Sequence, residues 1–301
     1  MNPYEQVYQA MAQQGIKAYL QEPLCRWTTF QIGGPAALFC VPNSTEQLMQ
    51  AAALCREANI RIYWLGKGSN VLFLDDGFDG AVILIAQGIS EVSAQDNVLH
   101  AGAGASMEQV CLCALDNGLT GLEFAYGIPG SVGGAVYMNA GAYGGEVKDV
   151  LKCATFLNEK GEVKTLQAAD LQLGYRTSIF ETNPWCILSA EFQLSPGNKK
   201  EIVDTMETLA QKRHEKQPLE MPSAGSTFKR PQGAFAGALI EQCGLRGFSV
   251  GGAAISQKHC GFVVNTGGAT CQDVIALTDR VIEIVKEQTG YTLEREIRVV
   301  K

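Results

Sequence analysis

Residues 126–145 read YGIPGSVGGAVYMNAGAYGG. Glycine at this density usually marks a flexible linker, yet the stretch also carries Ile128, Val132, Val136, Tyr137, Met138 and Tyr143, which belong in a core. A linker has no use for those side chains, and a plain core strand is weakened by the glycines. Backbone drawn closely around a large flat ligand accounts for both. Gly130, Gly133 and Gly134 remove side chains where the main chain must approach it, and Gly130 or Gly141 can take positive φ. Pro129 keeps Ile128 extended. The segment GAGAS at 102–106 adds another small-residue turn ahead of a helix.

Upstream lies LGKGSN, residues 65–70. It is not a P-loop, because Lys67 is followed by Gly68 where that motif needs Ser or Thr. Nor is it a dinucleotide fingerprint, because a strand rather than a helix follows. What remains is a tight strand–loop–strand turn. Its backbone N–H groups can converge on an anion such as a pyrophosphate, or it is an ordinary hairpin turn.

Composition limits the function classes. The 301 residues suffice for a substantial core, and 46% hydrophobic with 18% charged residues describes a globular protein. A net charge of −7 argues against a nucleic-acid surface. The only basic cluster, NKKE and QKRHEK within 198–216, reads as a solvated helix face. No apolar run approaches the roughly 18 residues of a membrane span, and the N-terminus lacks the basic-then-apolar order of a signal peptide. The expected location is the cytoplasm, with no membrane partner. Ten cysteines are scattered without a C-x-x-C, and the three histidines, His100, His214 and His259, lie far apart. This predicts buried free thiols, Cys55, Cys111, Cys113, Cys186 and Cys243 among them, and no metal site.

The pattern of elements is mixed. Residues 44–58 read as a helix, with Ser44 and Gln47 in capping-box spacing and Leu48, Ala51, Ala52 and Cys55 as its apolar stripe. Strands follow at 60–65, 71–74 and 81–86, with a turn at Asp79–Gly80. A strand leads into a helix at about 106–117 that Gly118 can end. Residues 150–166 form a hairpin turning at Lys160–Gly161, and 185–194 form a further strand. After SPGNKKE comes an amphipathic helix at 201–217, with Ile202, Met206 and Leu209 on one side. A helix at about 272–288 carries Val274, Leu277, Val281 and Val285 and ends at Gly290. The last segment, YTLEREIRVV, alternates as a strand: Tyr291, Leu293, Ile297 and Val299 face one way, Thr292, Glu294, Glu296 and Arg298 the other. The expected class is α+β, in a large unit to residue 196 and a smaller one at 197–301.

Five segments occur together and in order: GKGSNVLF, GIPGSVGGAVYMNAGAYG, GYRTSIF, SAGSTFKRP and LEREIRVV. In these the chain resembles the UDP-N-acetylenolpyruvoylglucosamine reductases, the MurB family, from about Thr28 to the C-terminus. The resemblance implies a two-lobed FAD-binding domain of the PCMH/vanillyl-alcohol-oxidase type at 1–196, with lobes about 21–80 and 81–196. A substrate-binding domain at 197–301 would follow, its terminal strand returning to the active site. FAD would lie between the lobes. Gly66, Lys67, Gly68, Ser69 and Asn70, with Gly127, Pro129, Gly130, Ser131, Gly133, Gly134, Asn139, Gly141 and Ala142, would surround its pyrophosphate and isoalloxazine. None of the histidines lies in these loops, so the FAD is expected to be non-covalent. The implied reaction is the NADPH-dependent reduction of UDP-N-acetylglucosamine enolpyruvate to UDP-N-acetylmuramate, in peptidoglycan precursor synthesis and hence cell-wall biogenesis, cell shape and division.

Such a reduction needs a cation for the lactyl carboxylate, a group that stabilises the enolate-like intermediate, and a proton donor. By resemblance Arg176 is the active-site arginine, Ser226 the proton donor and Glu296 the catalytic carboxylate. Tyr175, Lys229 and Arg230 would contact the substrate. Read without the resemblance, Arg176 is a surface ion-pair residue, Ser226 a loop serine, and Glu296 a solvent-facing residue of the last strand. Some family members carry an insertion after the YR motif that brings a tyrosine loop over the substrate. Here GYRTSIF runs directly into ETNPWCILSAEF, which is the shorter, type II form. Two competing readings remain: another FAD oxidoreductase or oxidase of the same fold, or a non-catalytic nucleotide-sugar-binding protein. No oligomeric state follows from the sequence.

Overall fold

The computed structural model describes residues 2–301. The chain sorts into two compact units, and neither is a continuous run. The first takes the chain up to Leu20, then Leu38–Lys67 and Gly80–Arg213; the second takes Gln21–Ala37, Gly68–Asp79 and His214–Lys301. Each has its own core. Leu38, Leu48, Ile83, Leu99, Val136, Phe156 and Phe192 belong to one; Phe30, Leu72, Ile240, Val263, Leu277 and Leu293 belong to the other. Composition suggested one division at about residue 196. Instead, 21–37 and 68–79 from the N-terminal part of the chain join the C-terminal unit.

In the first unit, a four-stranded sheet has the order Lys17–Pro23, Pro35–Val41, Phe78–Leu84, Ile62–Leu65, its last two strands parallel. A five-stranded antiparallel sheet runs Val163–Gln167, Leu151–Leu157, Cys186–Gln193, Val98–Gly102, Val92–Gln95. The helix Thr45–Glu57 starts where expected, Ser44 accepting from the Gln47 N–H, and it buries the predicted stripe. Its capping box is only half made, because the Gln47 side chain accepts from Asn43 rather than Ser44. The helix Met107–Asp116 has the full box, between Ser106 and Gln109. A helix at Pro3–Gln13 was not anticipated. Its signal was present: Asn2 and Glu5 cap each other's backbone, with Pro3 in the first turn.

In the second unit, Ser223–Ser226, Phe262–Asn265, Ala253–Ile255 and Ser249–Val250 form an antiparallel sheet in that order. The helix Cys271–Thr289 buries Val274, Leu277, Val281 and Val285 completely. Each such side chain contributes about 1.5–3 kcal/mol. The Asp75 carboxylate fixes the start of this helix, accepting from the Cys271 and Gln272 N–H groups at 2.7 and 3.1 Å.

Three expectations change. LGKGSN is not a hairpin: Ile62–Leu65 before it pairs with Phe78–Leu84, whereas Val71–Phe73 after it pairs in parallel with Arg298–Val300. The turn expected at Asp79–Gly80 falls inside a strand, and the reversal lies at residues 75–77, closed by the Gly77 N–H on Leu74 O at 3.0 Å. Only Arg298–Val300 of the terminal segment is strand. Alternation still sorts Leu293 and Ile297 into the core, but Tyr291 is 37% exposed and Glu296 is half-buried rather than solvated.

Candidate functional site

Within the first unit, residues 126–145 are less open than the sequence suggested. Ser131 caps a short helix, Val132–Tyr137, accepting from the Gly134 N–H at 3.4 Å. The N–H groups of Val132 and Gly133 donate to Ala105 O and Ala103 O at 2.9 and 2.8 Å. The helix is thus strapped to the GAGAS turn, and its first amides are taken by protein acceptors. Gly133 is buried because a Cβ there would stand 3.2 Å from Ala103 Cβ. Gly130 and Gly134 differ: an added Cβ would meet nothing closer than 3.7 and 3.5 Å, and Gly134 is exposed.

Gly127 takes the left-handed conformation, φ +79°. Gly130 and Gly141 do not. Gly141 is instead needed for close approach in the Gly141–Ala142/Gly145–Glu146 ladder, where a Cβ would lie 2.9 Å from Glu146 Cβ. Gly66 lies against Ser131, whose Oγ would be 2.5 Å from an added Cβ. Gly130 and Gly134 therefore leave bare backbone that side chains would cover, while at Gly127 an added Cβ would stand 3.3 Å from Arg213 Nε. Tyr143, expected in the core, is 45% exposed.

Asn139 holds this region to the next motif. Buried and at φ +42°, it donates from Nδ2 to Glu146 Oε2 (2.6 Å) and Gly174 O (2.9 Å), and accepts from the Lys148 N–H at 2.8 Å. Its amide is committed to protein. Gly174 and Thr177 bond reciprocally, so Tyr175 and Arg176 form the tip of a two-residue turn, with Arg176 at φ +58°. An L-residue with a long side chain is strained there, and such strain concentrates at functional sites. Arg176 Nη2 donates to Gly141 O at 3.2 Å, and its guanidinium lies 5.4 Å from the Tyr175 ring centre. Ser178 Oγ donates to Tyr137 O at 2.7 Å, completing the attachment.

Within the second unit, three motifs converge. Thr29 Oγ1 donates to Ser223 O at 2.6 Å, while its N–H donates to Gly68 O at 3.1 Å. Gly68, at φ +63°, is pressed so closely on the Trp27 carbonyl that no other residue fits. Asn70 Nδ2 donates to Glu296 O at 3.3 Å, and the Arg298 N–H returns to Asn70 O at 3.1 Å. Residues 227–229 run alongside 294–296: the Lys229 N–H bonds Glu294 O and the Glu296 N–H bonds Thr227 O, each at 2.8 Å. Buried Thr227 is also anchored by its N–H on Gly261 O and by its Oγ1 accepting from Val263 N. Exposed Ser226 and half-buried Glu296 thus sit on neighbouring, well-tied segments beside Asn70.

Other residues are placed less centrally. Lys67 is exposed. Lys229 pairs with Glu294 at 3.5 Å, an exposed contact of small energetic weight. Arg230 lies 4.4 Å from the ring centre of Phe235, itself 61% exposed. All ten cysteines are free, but Cys113 and Cys243 are only half-buried. Among the described residues no cluster of His, Cys, Asp or Glu is placed to hold a metal ion, and no helix is long and apolar enough to cross a membrane.

The basic run QKRHEK is mostly a solvated face, with one exception that sequence reasoning missed. Arg213, in the helix Lys199–Lys216, is only 6% exposed. It shares the buried face with Ile202 and Met206, and a charge on that stripe was the available signal.

Comparison with known proteins agrees with this arrangement. Residues 36–167 match the family described as FAD binding domain, and residues 217–300 match UDP-N-acetylenolpyruvoylglucosamine reductase, C-terminal domain. The solved Physcomitrella patens BBE-like 1 protein, 16% identical, covers 63% of this chain and 44% of its own at a TM-score of 0.51, a likeness of fold alone. The FAD-binding domain and the mixed helix-and-strand fold define an FAD-dependent oxidoreductase of the α+β class. A curated UDP-N-acetylenolpyruvoylglucosamine reductase from Lachnoclostridium phytofermentans is 47% identical over 283 residues, 93% of this chain and 91% of its own. The crystal structure of UDP-N-acetylenolpyruvylglucosamine reductase from Thermus caldophilus is 34% identical, covering 95% of this chain and 99% of its own at a TM-score of 0.80. The chain belongs to the UDP-N-acetylenolpyruvoylglucosamine reductase family.

Proposed function

We propose that the chain reduces UDP-N-acetylglucosamine enolpyruvate to UDP-N-acetylmuramate with NADPH, in the cytoplasm, as a step of peptidoglycan precursor synthesis. The supporting observation is the pair of tied segments that holds Ser226 and Glu296 beside Asn70. A flavin site alone would not require it. The bare backbone at Gly130 and Gly134 suits close approach of a flat ring system, so the residues fit FAD. The unit bearing residues 38–67 and 80–167 then handles mainly the cofactor, and that bearing 217–300 mainly the substrate.

When bound, FAD would supply a hydride, acquired from NADPH, to the terminal methylene carbon of the enolpyruvyl group, so that the negative charge is conjugated with the carboxylate. Gly66, Lys67 and the exposed part of residues 127–134 in the first unit, and Gly68, Ser69 and Asn70 in the second, are the residues that would hold it. Gly133, Asn139, Gly141 and Ala142 act behind this surface by shaping the backbone. Arg176 offers its fork of donors to the carboxylate on which negative charge develops. The turn holds it in place before substrate arrives, so little reorganisation accompanies the reaction. Ser226 gives the proton to the carbon next to the one that receives hydride. Because a serine hydroxyl is a weak acid, it acts with Glu296, which stabilises the intermediate or restores the proton. Tyr175, Lys229 and Arg230 contact the nucleotide-sugar.

The test separates the two half-reactions. Ser226→Ala should keep flavin reduction by NADPH near the wild-type rate and slow reoxidation by the enolpyruvyl substrate about 10²–10⁴-fold. Equal loss in both halves would give Ser226 a structural role.

A further inference from the structure

We infer that Arg295 is a positioning residue for Glu296: its side chain pins the terminal segment to the helix Cys271–Thr289 and so fixes the direction in which the neighbouring carboxylate points. The backbone pairing around it is brief. Phe228 and Arg295 form an isolated antiparallel bridge, closed by the Lys229 N–H on Glu294 O and the Glu296 N–H on Thr227 O. In an extended segment successive side chains point to opposite faces, so half-buried Arg295 leaves on the face opposite to Glu294 and Glu296. There it meets the helix. Nε donates to Thr278 Oγ1 at 2.7 Å, and Nη2 donates to Ile275 O at 3.2 Å and pairs with Asp279. Thr278 is fully buried, and its own hydroxyl donates to Val274 O at 2.7 Å, so the acceptor that Nε meets is itself fixed. Leu293 and Ile297 are buried on the same face as Arg295. Their packing is non-directional, whereas the guanidinium contacts are directional and charge-assisted. Backbone bonds set the register of the segment on residues 227–229; the clamp on its other face keeps it from rolling about that register. Such a roll would swing the Glu296 side chain, and a small misplacement of a reacting group costs up to about 10²-fold in rate.

The inference rests on the reading of Glu296 as the carboxylate that acts with Ser226, and the test keeps the two apart. Flavin-loaded Glu296→Gln, Arg295→Met, Arg295→Lys and the double variant Arg295→Met/Glu296→Gln are compared with wild type in each half-reaction. Arg295→Met should keep flavin reduction by NADPH near the wild-type rate. Its reoxidation at saturating enolpyruvyl substrate should slow about 10–100-fold, with a smaller change in the apparent Kd of that substrate. Lysine keeps the charge without the fork and should restore only part of the rate. In the double variant the arginine substitution should slow reoxidation by no more than about twofold beyond Glu296→Gln alone, because the group it positions is already gone. A merely structural role predicts the same factor with and without the carboxylate. That result, or wild-type reoxidation in Arg295→Met, would overturn the inference. If Arg295→Met does not fold, Thr278→Val removes the acceptor of Nε at similar shape and should show the same pattern. A Glu296→Gln protein that reoxidises at the wild-type rate would refute the reading of Glu296, and the inference with it.

Discussion

At the scale of single residues, glycines of one motif do different things. Gly133 and Gly134 are adjacent and alike in sequence, but Gly133 faces Ala103 while Gly134 is exposed. Gly134→Val should therefore lower FAD retention at nearly unchanged apoprotein stability. Gly133→Val should cost both, the overpacking alone about 1–3 kcal/mol; thermal melts of apoprotein and loaded protein distinguish them. Arg176 makes the opposite trade, holding a left-handed conformation that glycine would adopt freely. Arg176→Gly should change stability by no more than about 1 kcal/mol, since relief of strain offsets the lost Gly141 contact and the added chain freedom. Reoxidation by substrate should nevertheless fall sharply. The motif was legible because glycine density amid apolar residues demands close approach. What each glycine approaches was not, because Ala103 comes from elsewhere in the chain and Glu146 from the partner strand of a turn. Arg213 was missed for another reason: a basic run looks solvated until the helix is rotated onto its buried face.

At the scale of elements, the four helices expected from the sequence fall within two residues of their expected bounds because their signals are local, whereas Pro3–Gln13, Val132–Tyr137 and Ala236–Gln242 were missed. Ser44 caps the Gln47 N–H as its spacing implied, and Ser106 and Thr270 make full capping boxes that the sequence reading had not named. The terminal strand was not readable in this way, because residues 291–297 alternate without laddering and bond instead to 227–229. The Asn139 amide joins the 139–148 segment to the turn bearing Arg176. Asn139→Ala should destabilise the protein by about 1–3 kcal/mol through the buried groups it leaves unmatched. FAD content should survive while KM for the enolpyruvyl substrate rises, which steady-state kinetics on loaded enzyme would register. At the start of Cys271–Thr289, the Asp273 carboxylate accepts from the Thr270 and Gly252 N–H groups, which holds its pKa below the usual carboxylate value. A depressed folded pKa means a contribution present above about pH 4 and lost as pH falls through the lower folded value. Asp273→Asn should accordingly flatten the acid limb of the stability–pH curve, as acid titration monitored by circular dichroism would record.

At the scale of the whole molecule, composition predicted two α+β units but not their interleaving. Residues 21–37 and 68–79 carry no mark of belonging with 214–301, since that membership is fixed by long-range pairs such as Val71 with Arg298. The thiol prediction is global as well. Burial raises Cys186, burial with Glu123 and Glu108 pushes Cys111 up to about 12, and the neighbouring Cys55 together with burial raises Cys40. Native protein at pH 8 should therefore alkylate slowly at these positions, and rapidly only after unfolding. The central claim is that one chain couples a nicotinamide to an enolpyruvyl ether through FAD. Its most direct test is an anaerobic two-step titration of the loaded protein. NADPH should bleach the flavin, and UDP-N-acetylglucosamine enolpyruvate should then restore its absorbance in equimolar amount, with UDP-N-acetylmuramate as product. A flavin that NADPH reduces but only oxygen reoxidises would contradict it.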